Sequence, residues 1–381
     1  MPLSYAIRTL CLILISTLLP HLAIAQPSQE AAALIEELGL READTPLSEN
    51  ANWQPKRVLV TFPTQITAPF PDLEEQFRAA AGDMDIVFDK SGSFVPAAEL
   101  LEGTDAVIGV CAPATLQAAG PELLWIHSYF VGMDRCVGMT DKQRQTMVFT
   151  NNKRLSGPGI AEHTIAMMMS IARGLPAYSR AQVNSEWDSS LANAIRFGEI
   201  KGKTMLVVGL GGIGTEIAWR AHGLGMRIIA TRNSSRQGPD YVDYVGLADE
   251  LNKLAGEADV IVNALPLTAK TTGVFNKAFF DAAKPGAMFL SVGRGKSTVT
   301  DDLIAALESG QVYGAGLDVT DPEPLPADSP LWQMPRVVIT PHRSAAGIDS
   351  MRRMATIAVE NLRRYANGER MLNIVNINAG Y

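Results

Sequence analysis

From Arg57 onward the chain alternates short apolar runs with longer amphipathic stretches. RVLVTF, DIVF, AVIGV, LLWIHS and MVFTN are β-branched or aromatic runs of strand length. Stretches between them, such as FPDLEEQFRAAAG, space their apolar residues at helical intervals. A second series of strands opens at TMLVVG and continues through RIIAT, VIVNA, AMFLSV, GAGLDV and VVIT, ending near Thr340. Between the two series lies IAEHTIAMMMSIARGL, apolar at helical spacing, and the closing stretch GIDSMRRMATIAVENLRRYANG is another amphipathic helix. Regular alternation of this kind predicts parallel sheets covered on both faces, hence an α/β protein of two doubly wound domains.

The start of the chain follows a different pattern. Met1–Ala25 has one basic residue, Arg8, then LCLILISTLL, a break at Pro20 and Ala23-Ile24-Ala25, the layout of a secretory signal with an AxA cleavage site. Its apolar core of about ten residues falls short of the ~20 that a membrane span requires, so a cleaved signal peptide at residues 1–25 is expected and no stable membrane span. Export follows, periplasmic in a Gram-negative source; a misassigned start would leave the protein cytoplasmic. Residues 26–54 supply one short helix, SQEAAALIEELGL, stopped at Gly39, and a polar linker through ENANWQPKR.

Composition narrows the classes further. The 381 residues are 47% hydrophobic, enough for two cores, and the net charge of -7 comes without blocks of like sign, which argues against a nucleic-acid partner. Cys111 and Cys136 remain after cleavage. They follow neighbouring strand runs, where a disulfide is conceivable, and are expected as packed free thiols. No CxxC or Cys/His spacing points to a metal.

The chemistry starts at VVGLGGIGTEIAWRAHGLG, where Gly209, Gly211 and Gly214 form GxGxxG between a strand and a helix. The first glycine permits a tight turn, the second lets backbone approach a pyrophosphate, and the third lets helix pack on strand. Gly212 and Ile213 open the helix whose N-terminus faces the phosphates. This predicts a Rossmann domain binding a dinucleotide. The next strand ends in ATRNSSR, and Arg232 stands close to where a carboxylate would take the 2'-hydroxyl of NAD. An arginine there can hold a 2'-phosphate by charge-assisted hydrogen bonds, with Asn233, Ser234 and Arg236 as further donors. NADP(H) is therefore the preferred cofactor and NAD(H) the alternative. Pro266, just past VIVNA, is assigned to the same cofactor site.

Further on come SVGRGKSTVTDDLIAAL, GLDVTDPEPLP and VVITPHRSAAG. With GLGGIG and the AEHTIAMMM helix, these make the chain resemble the D-isomer-specific 2-hydroxyacid dehydrogenases from about Arg57 to the C-terminus. The resemblance implies catalytic roles for Arg294, Glu323 and His342. Arg294, flanked by glycines, can grip the carboxylate of a 2-oxo acid and polarise its carbonyl. His342 can give a proton to the carbonyl oxygen, and Glu323 can bond the far ring nitrogen and favour the charged form. Asp318 resembles the family's aspartate near the nicotinamide carboxamide, with capping of a strand end as the other reading. WIHSYFVGMDRCVG resembles the loop whose amides receive the substrate carboxylate, which points to Val131 and Gly132, with Tyr129, Phe130 and Met133 shaping the pocket or packing the core. His163 and His222 are expected to be structural, and His127 faces either substrate or the sheet edge.

The layout expected is a Rossmann domain at 156–341 inserted in a flavodoxin-like substrate domain made of 55–155 and 342–381. The resemblance also implies a homodimer. The implied reaction is NADP(H)-dependent reduction of a small 2-oxo acid, of the glyoxylate or hydroxypyruvate type, to the D-2-hydroxy acid. A formate-dehydrogenase-like enzyme and a non-catalytic NAD(P)-binding sensor or partner-binding protein are the alternatives.

Overall fold

The computed structural model describes residues 27–64, 68–133, 136–233 and 235–377. The expected signal segment and Ser234 lie outside them. Among the described residues two parallel sheets form. The first contains β1 (Arg57–Thr61), β2 (Asp85–Asp89), β3 (Ala106–Gly109), β4 (Trp125–Ser128) and β5 (Val148–Asn151), in the order β2-β1-β3-β4-β5. The second contains β6 (Thr204–Val208), β7 (Arg227–Arg232), β8 (Tyr244–Leu247), β9 (Val260–Asn263), β10 (Ala287–Ser291), β11 (Val312–Leu317) and β12 (Val337–Ile339), in the order β12-β11-β10-β9-β6-β7-β8. Both orders reverse direction beside the first strand of the unit, the point at which open α/β sheets gather ligands.

The uninterrupted apolar runs are the inner strands. Val58, Leu59 and Val60 of β1 and Met205, Leu206 and Val207 of β6 are completely buried, because helices cover both faces of each sheet. The edge strand β8 has no such run; YVGL follows a polar loop, and only tertiary pairing of Ile229–Arg232 with Tyr244–Leu247 makes it a strand.

The helix Gly157–Ala172 links the two sheets. Gly157 leaves room for close approach to the helix Gly212–Gly223, since a Cβ there would lie 3.3 Å from Glu216 Cγ and 3.5 Å from Gly212 O. The closing helix Ile348–Ala366 returns to the first sheet, where Ala355, Ala358, Leu362 and Tyr365 join the core of Val58, Val60, Phe77 and Trp125. Tyr365 stacks on Trp125 with ring centroids 4.9 Å apart and donates its hydroxyl to Asp105 Oδ2 at 2.7 Å. The buried Glu360 is matched by two arginines, Arg363 and Arg364, and Arg364 also reaches Glu42 of the N-terminal segment.

Cys111 and Cys136 form a disulfide, with Cα atoms 5.0 Å apart, rather than the free thiols expected. Gly109 pairs with Ser128, so the segments leaving β3 and β4 start side by side at the carboxyl end of the sheet.

Candidate active site

The three fingerprint glycines differ in what a side chain at each would meet. Gly209 has φ 98°, and a Cβ there would press to 3.0 Å from Ala264 O. A Cβ on Gly214 would collide with the Gly209 carbonyl oxygen and lie 2.9 Å from Val207 Cγ1, so the helix can approach β6 only without it. Gly211, the N-cap, is different: a Cβ there would meet nothing within 4 Å. That open side, with the orphan amides of the first helical turn above it, is a cradle that fits a dinucleotide's diphosphate.

At the end of β7 the half-buried Arg232 is anchored by two backbone carbonyls, Nε to Leu210 O at 3.0 Å and Nη1 to Gln237 O at 2.8 Å. The guanidinium is thereby fixed beside the fingerprint turn. Arg236 is engaged elsewhere, with Nη1 2.7 Å from Glu250 Oε2 and 2.9 Å from the Tyr244 hydroxyl. The Tyr244 hydroxyl, the Leu247 amide and then Arg236 pull the Glu250 carboxyl down to about 2, so this charge pair is internally balanced. Asn233 and Pro266 are exposed, Pro266 just beyond the carboxyl end of β9.

Arg294, Asp318, Glu323 and His342 all follow the carboxyl ends of β10, β11 and β12, adjacent parallel strands. The glycines flanking Arg294 are required by packing: a Cβ on Gly293 would lie 2.6 Å from Leu265 O, and one on Gly295 would collide with Thr320 O. The turn is stitched by Ser297, which donates to Arg294 O at 2.6 Å and accepts from Asn263 at 2.7 Å. His342 Nδ1 lies 3.0 Å from Glu323 Oε2, and Glu323 Oε1 accepts the Thr320 amide at 3.1 Å. Both members of the pair are open to solvent, His342 by 46% of its side chain, so the other ring nitrogen can reach a ligand.

Asp318 faces that histidine's backbone. Its carboxylate accepts from Thr340 Oγ1 at 2.7 Å, Arg343 N at 2.8 Å and Ser344 N at 3.0 Å, and its own carbonyl accepts the His342 amide at 2.8 Å. Burial alone would raise its pKa, but the bonds from Ser344, Thr340 and Arg343 outweigh burial and hold it below the usual carboxylate range. Of the two roles the sequence leaves open, these contacts belong to capping. Thr340 in turn takes a bond from His163 Nε2 at 2.9 Å, which ties the linking helix to the same turn. Sequence reasoning missed Thr340, since a threonine ending a strand carries no distinctive spacing. His222 packs against Tyr241, away from these groups.

In the first sheet, the loop after β4 carries Val131 and Gly132. Among the described residues neither amide donates to a protein acceptor. Tyr129 and Met133 are buried and Phe130 is exposed. His127 is completely buried, bonded to Thr150 and Asn152, so it faces the sheet interior rather than a ligand.

A family model described as the NAD binding domain of D-isomer specific 2-hydroxyacid dehydrogenases matches residues 165–344. A glyoxylate reductase/hydroxypyruvate reductase of Mus musculus is 30% identical over 325 residues, 84% of this chain and 98% of that protein. The chain belongs to the D-isomer specific 2-hydroxyacid dehydrogenase family. It is also 36% identical to a glyoxylate/hydroxypyruvate reductase B of Klebsiella pneumoniae over 219 residues, 57% of this chain and 67% of that one. A D-isomer specific 2-hydroxyacid dehydrogenase from Xanthobacter autotrophicus Py2, solved in complex with NADPH and MES, matches at 26% identity with a TM-score of 0.70, covering 85% of this chain and 99% of that chain. As a 2-hydroxyacid dehydrogenase the protein is an NAD(P)-dependent oxidoreductase with a Rossmann cofactor domain. No helix among the described residues is long and apolar enough to cross a membrane.

Proposed function

We propose that the protein reduces a small 2-oxo acid of the glyoxylate or hydroxypyruvate type to the 2-hydroxy acid, with NADP(H) preferred over NAD(H). The observation that carries this reading is the His342–Glu323 pair, 3.0 Å apart, standing with Arg294 at the carboxyl ends of strands in the sheet that also carries the fingerprint. The reductase names of the relatives support the substrate class. Arg232, where an acidic residue would repel a 2'-phosphate, supports the cofactor preference.

When bound, the reduced nicotinamide supplies a hydride to the carbonyl carbon. The chain's own residues do the rest. Arg294 draws in the carboxylate and polarises the carbonyl, while the Val131 and Gly132 amides receive carboxylate oxygens from the other side of the cleft. His342, its Nδ1 turned to Glu323, delivers a proton from Nε2 to the carbonyl oxygen; Glu323 orients the ring. Asp318 serves the reaction by fixing the backbone of His342.

The test is NADPH oxidation with glyoxylate and hydroxypyruvate, repeated with NADH. Turnover with clear preference for NADPH is expected. No turnover with either acid would refute the substrate class, and equal catalytic efficiency with NADH would refute cofactor selection by Arg232.

Two further readings belong with this one. A homodimer through the nucleotide domain is supported by exposed apolar side chains there, Leu175, Val183, Trp187 and Trp219, and sedimentation at micromolar concentration tests it. Export is supported by the disulfide, a bond favoured in oxidising compartments. Mass spectrometry of the native N-terminus decides: a chain beginning at Gln26 fits processing, and one that keeps Met1 refutes it.

A further inference from the structure

The loop that presents Val131 and Gly132 is held by groups that take no part in the chemistry above. Asn151 pairs in register with Ser128 of β4, so Asn151 and Asn152 leave the sheet beside this loop. Asn151 Nδ2 donates to Val131 O at 2.6 Å, while its Oδ1 accepts the Lys153 amide at 3.1 Å, which settles which end of the side chain faces the loop. Asn152 Nδ2 donates to Tyr129 O at 2.9 Å, and its Oδ1 meets His127 Nε2 at 3.2 Å. A trans peptide is planar, with its C=O and following N–H pointing opposite ways. Holding the Val131 carbonyl from β5 therefore aims the Gly132 N–H away from β5. Holding the Tyr129 carbonyl likewise sets the plane of the Phe130 N–H, which is bonded to Ser128 Oγ at 3.2 Å. At the far end Cys136 turns back onto Met133 O at 2.9 Å and is crosslinked to Cys111 beyond β3.

We propose that Asn151, Asn152 and the Cys111–Cys136 disulfide are positioning groups, which hold this loop in the shape that offers two adjacent amides to the carboxylate of a 2-oxo acid. The proposal rests on the carboxylate substrate inferred above. Two neighbouring amides with no acceptor among the described residues are available to a ligand's oxygens, whereas a free loop could rotate its peptides to bond them internally. Fixing the planes in advance removes that reorganisation from the binding step, so the benefit falls on substrate affinity. Neither asparagine reaches the nucleotide fingerprint, so cofactor affinity is independent of the clamp.

The test uses the full chain saturated with NADPH and two probes: oxamate, a non-reducible carboxylate with an adjacent carbonyl, followed by calorimetry, and glyoxylate, followed by kinetics. Two variants are compared with the wild type, Asn151→Asp, which sets an acceptor against the Val131 carbonyl, and the double variant Cys111→Ala/Cys136→Ala. In each, the oxamate Kd and glyoxylate KM should rise about tenfold or more, with kcat at saturation within about threefold. The NADPH Kd, read by fluorescence, should not change. Unchanged oxamate affinity in a folded variant overturns the proposal, and so does an equal loss of NADPH affinity, which marks a general structural role. If Asn151→Asp does not fold, the double cysteine variant decides. A wild-type protein that binds oxamate but turns over no glyoxylate refutes the reductase reading alone; one that binds no oxamate overturns both.

Discussion

Acid should weaken this protein through His127 in particular, and the size of the effect can be worked from its surroundings. The Asn152 amide nitrogen is given to Tyr129 O, so the Asn152 oxygen faces His127 Nε2, which must carry the ring proton. The Thr150 hydroxyl accepts Trp125 Nε1–H at 2.9 Å and therefore donates to His127 Nδ1 at 2.8 Å. Asn361 Nδ2, 3.4 Å from Nδ1, is another donor on that side. A second proton on the ring would thus face donors with no water to turn to. Burial pushes the His127 pKa from 6.5 to about 4, only partly opposed by the bond to Asn152. The unfolded chain therefore binds this proton first. Its contribution to stability is complete above pH 6.5 and is lost as the pH falls toward 4. At roughly 1.4 kcal/mol for each pH unit across that window, the loss is about 3 kcal/mol, a sizeable fraction of the ~5–15 kcal/mol typical of a domain. Carboxylates titrate in the same range, so the measurement is a difference: urea unfolding of wild type and His127→Gln from pH 7 to 4. The wild-type advantage should shrink by that amount on acidification. A difference that stays flat over the window would refute the assignment of a buried neutral imidazole.

The remaining predictions concern the site. His342→Ala should lower kcat with glyoxylate by about 10²–10⁴-fold while NADPH still binds, and near-normal turnover would remove His342 as the proton donor. Gly211→Ala should fold normally yet weaken NADPH binding, whereas Gly214→Ala should lose about 1–3 kcal/mol in denaturant unfolding from its collision with Gly209. Equal effects of the two on both measurements would contradict the division of labour in the fingerprint. Asp318→Asn should cost about 1–3 kcal/mol and reduce turnover together, because it removes an acceptor from the turn that carries His342; a change in cofactor affinity alone would return Asp318 to the nicotinamide.

The sequence made the strands legible where burial on both faces left no polar residue to interrupt the run, as in β1, β6 and β10. It failed at β8, whose YVGL acquires strand character only from pairing with β7. Single residues were legible where chemistry and backbone demanded one type: the fingerprint glycines, or Gly293 and Gly295 around Arg294. Partners chosen in three dimensions were not. Glu250 lies downstream of Arg236 with nothing in the intervening RQGPDYVDYVGLADE to announce that the two would pair, so a loop arginine read as a phosphate ligand proved to be balanced already. The disulfide was misjudged for a related reason. Cys111 lies just past β3 and Cys136 farther along the loop that follows β4, and their meeting depends on strand pairing and the path of that loop, which the apolar pattern does not state.

Asp318 and Glu323 leave the same strand end yet act on different parts of His342, and this separates what a mutation at each can do. His342 has φ 53°, a left-handed conformation that costs a non-glycine residue on the order of 1–2 kcal/mol. It persists because the turn is over-determined: the His342 amide is bonded to Asp318 O, and the two following amides are bonded to the Asp318 carboxylate. Glu323 meets His342 only at the ring, its other oxygen accepting the Thr320 amide. Loss of Glu323 should therefore spare stability, the pair being exposed, and fall on turnover. Loss of Asp318 should release the turn itself, so that folding and catalysis fail together. His342 is thus held at its backbone by a buried acid and met at its ring by an exposed one.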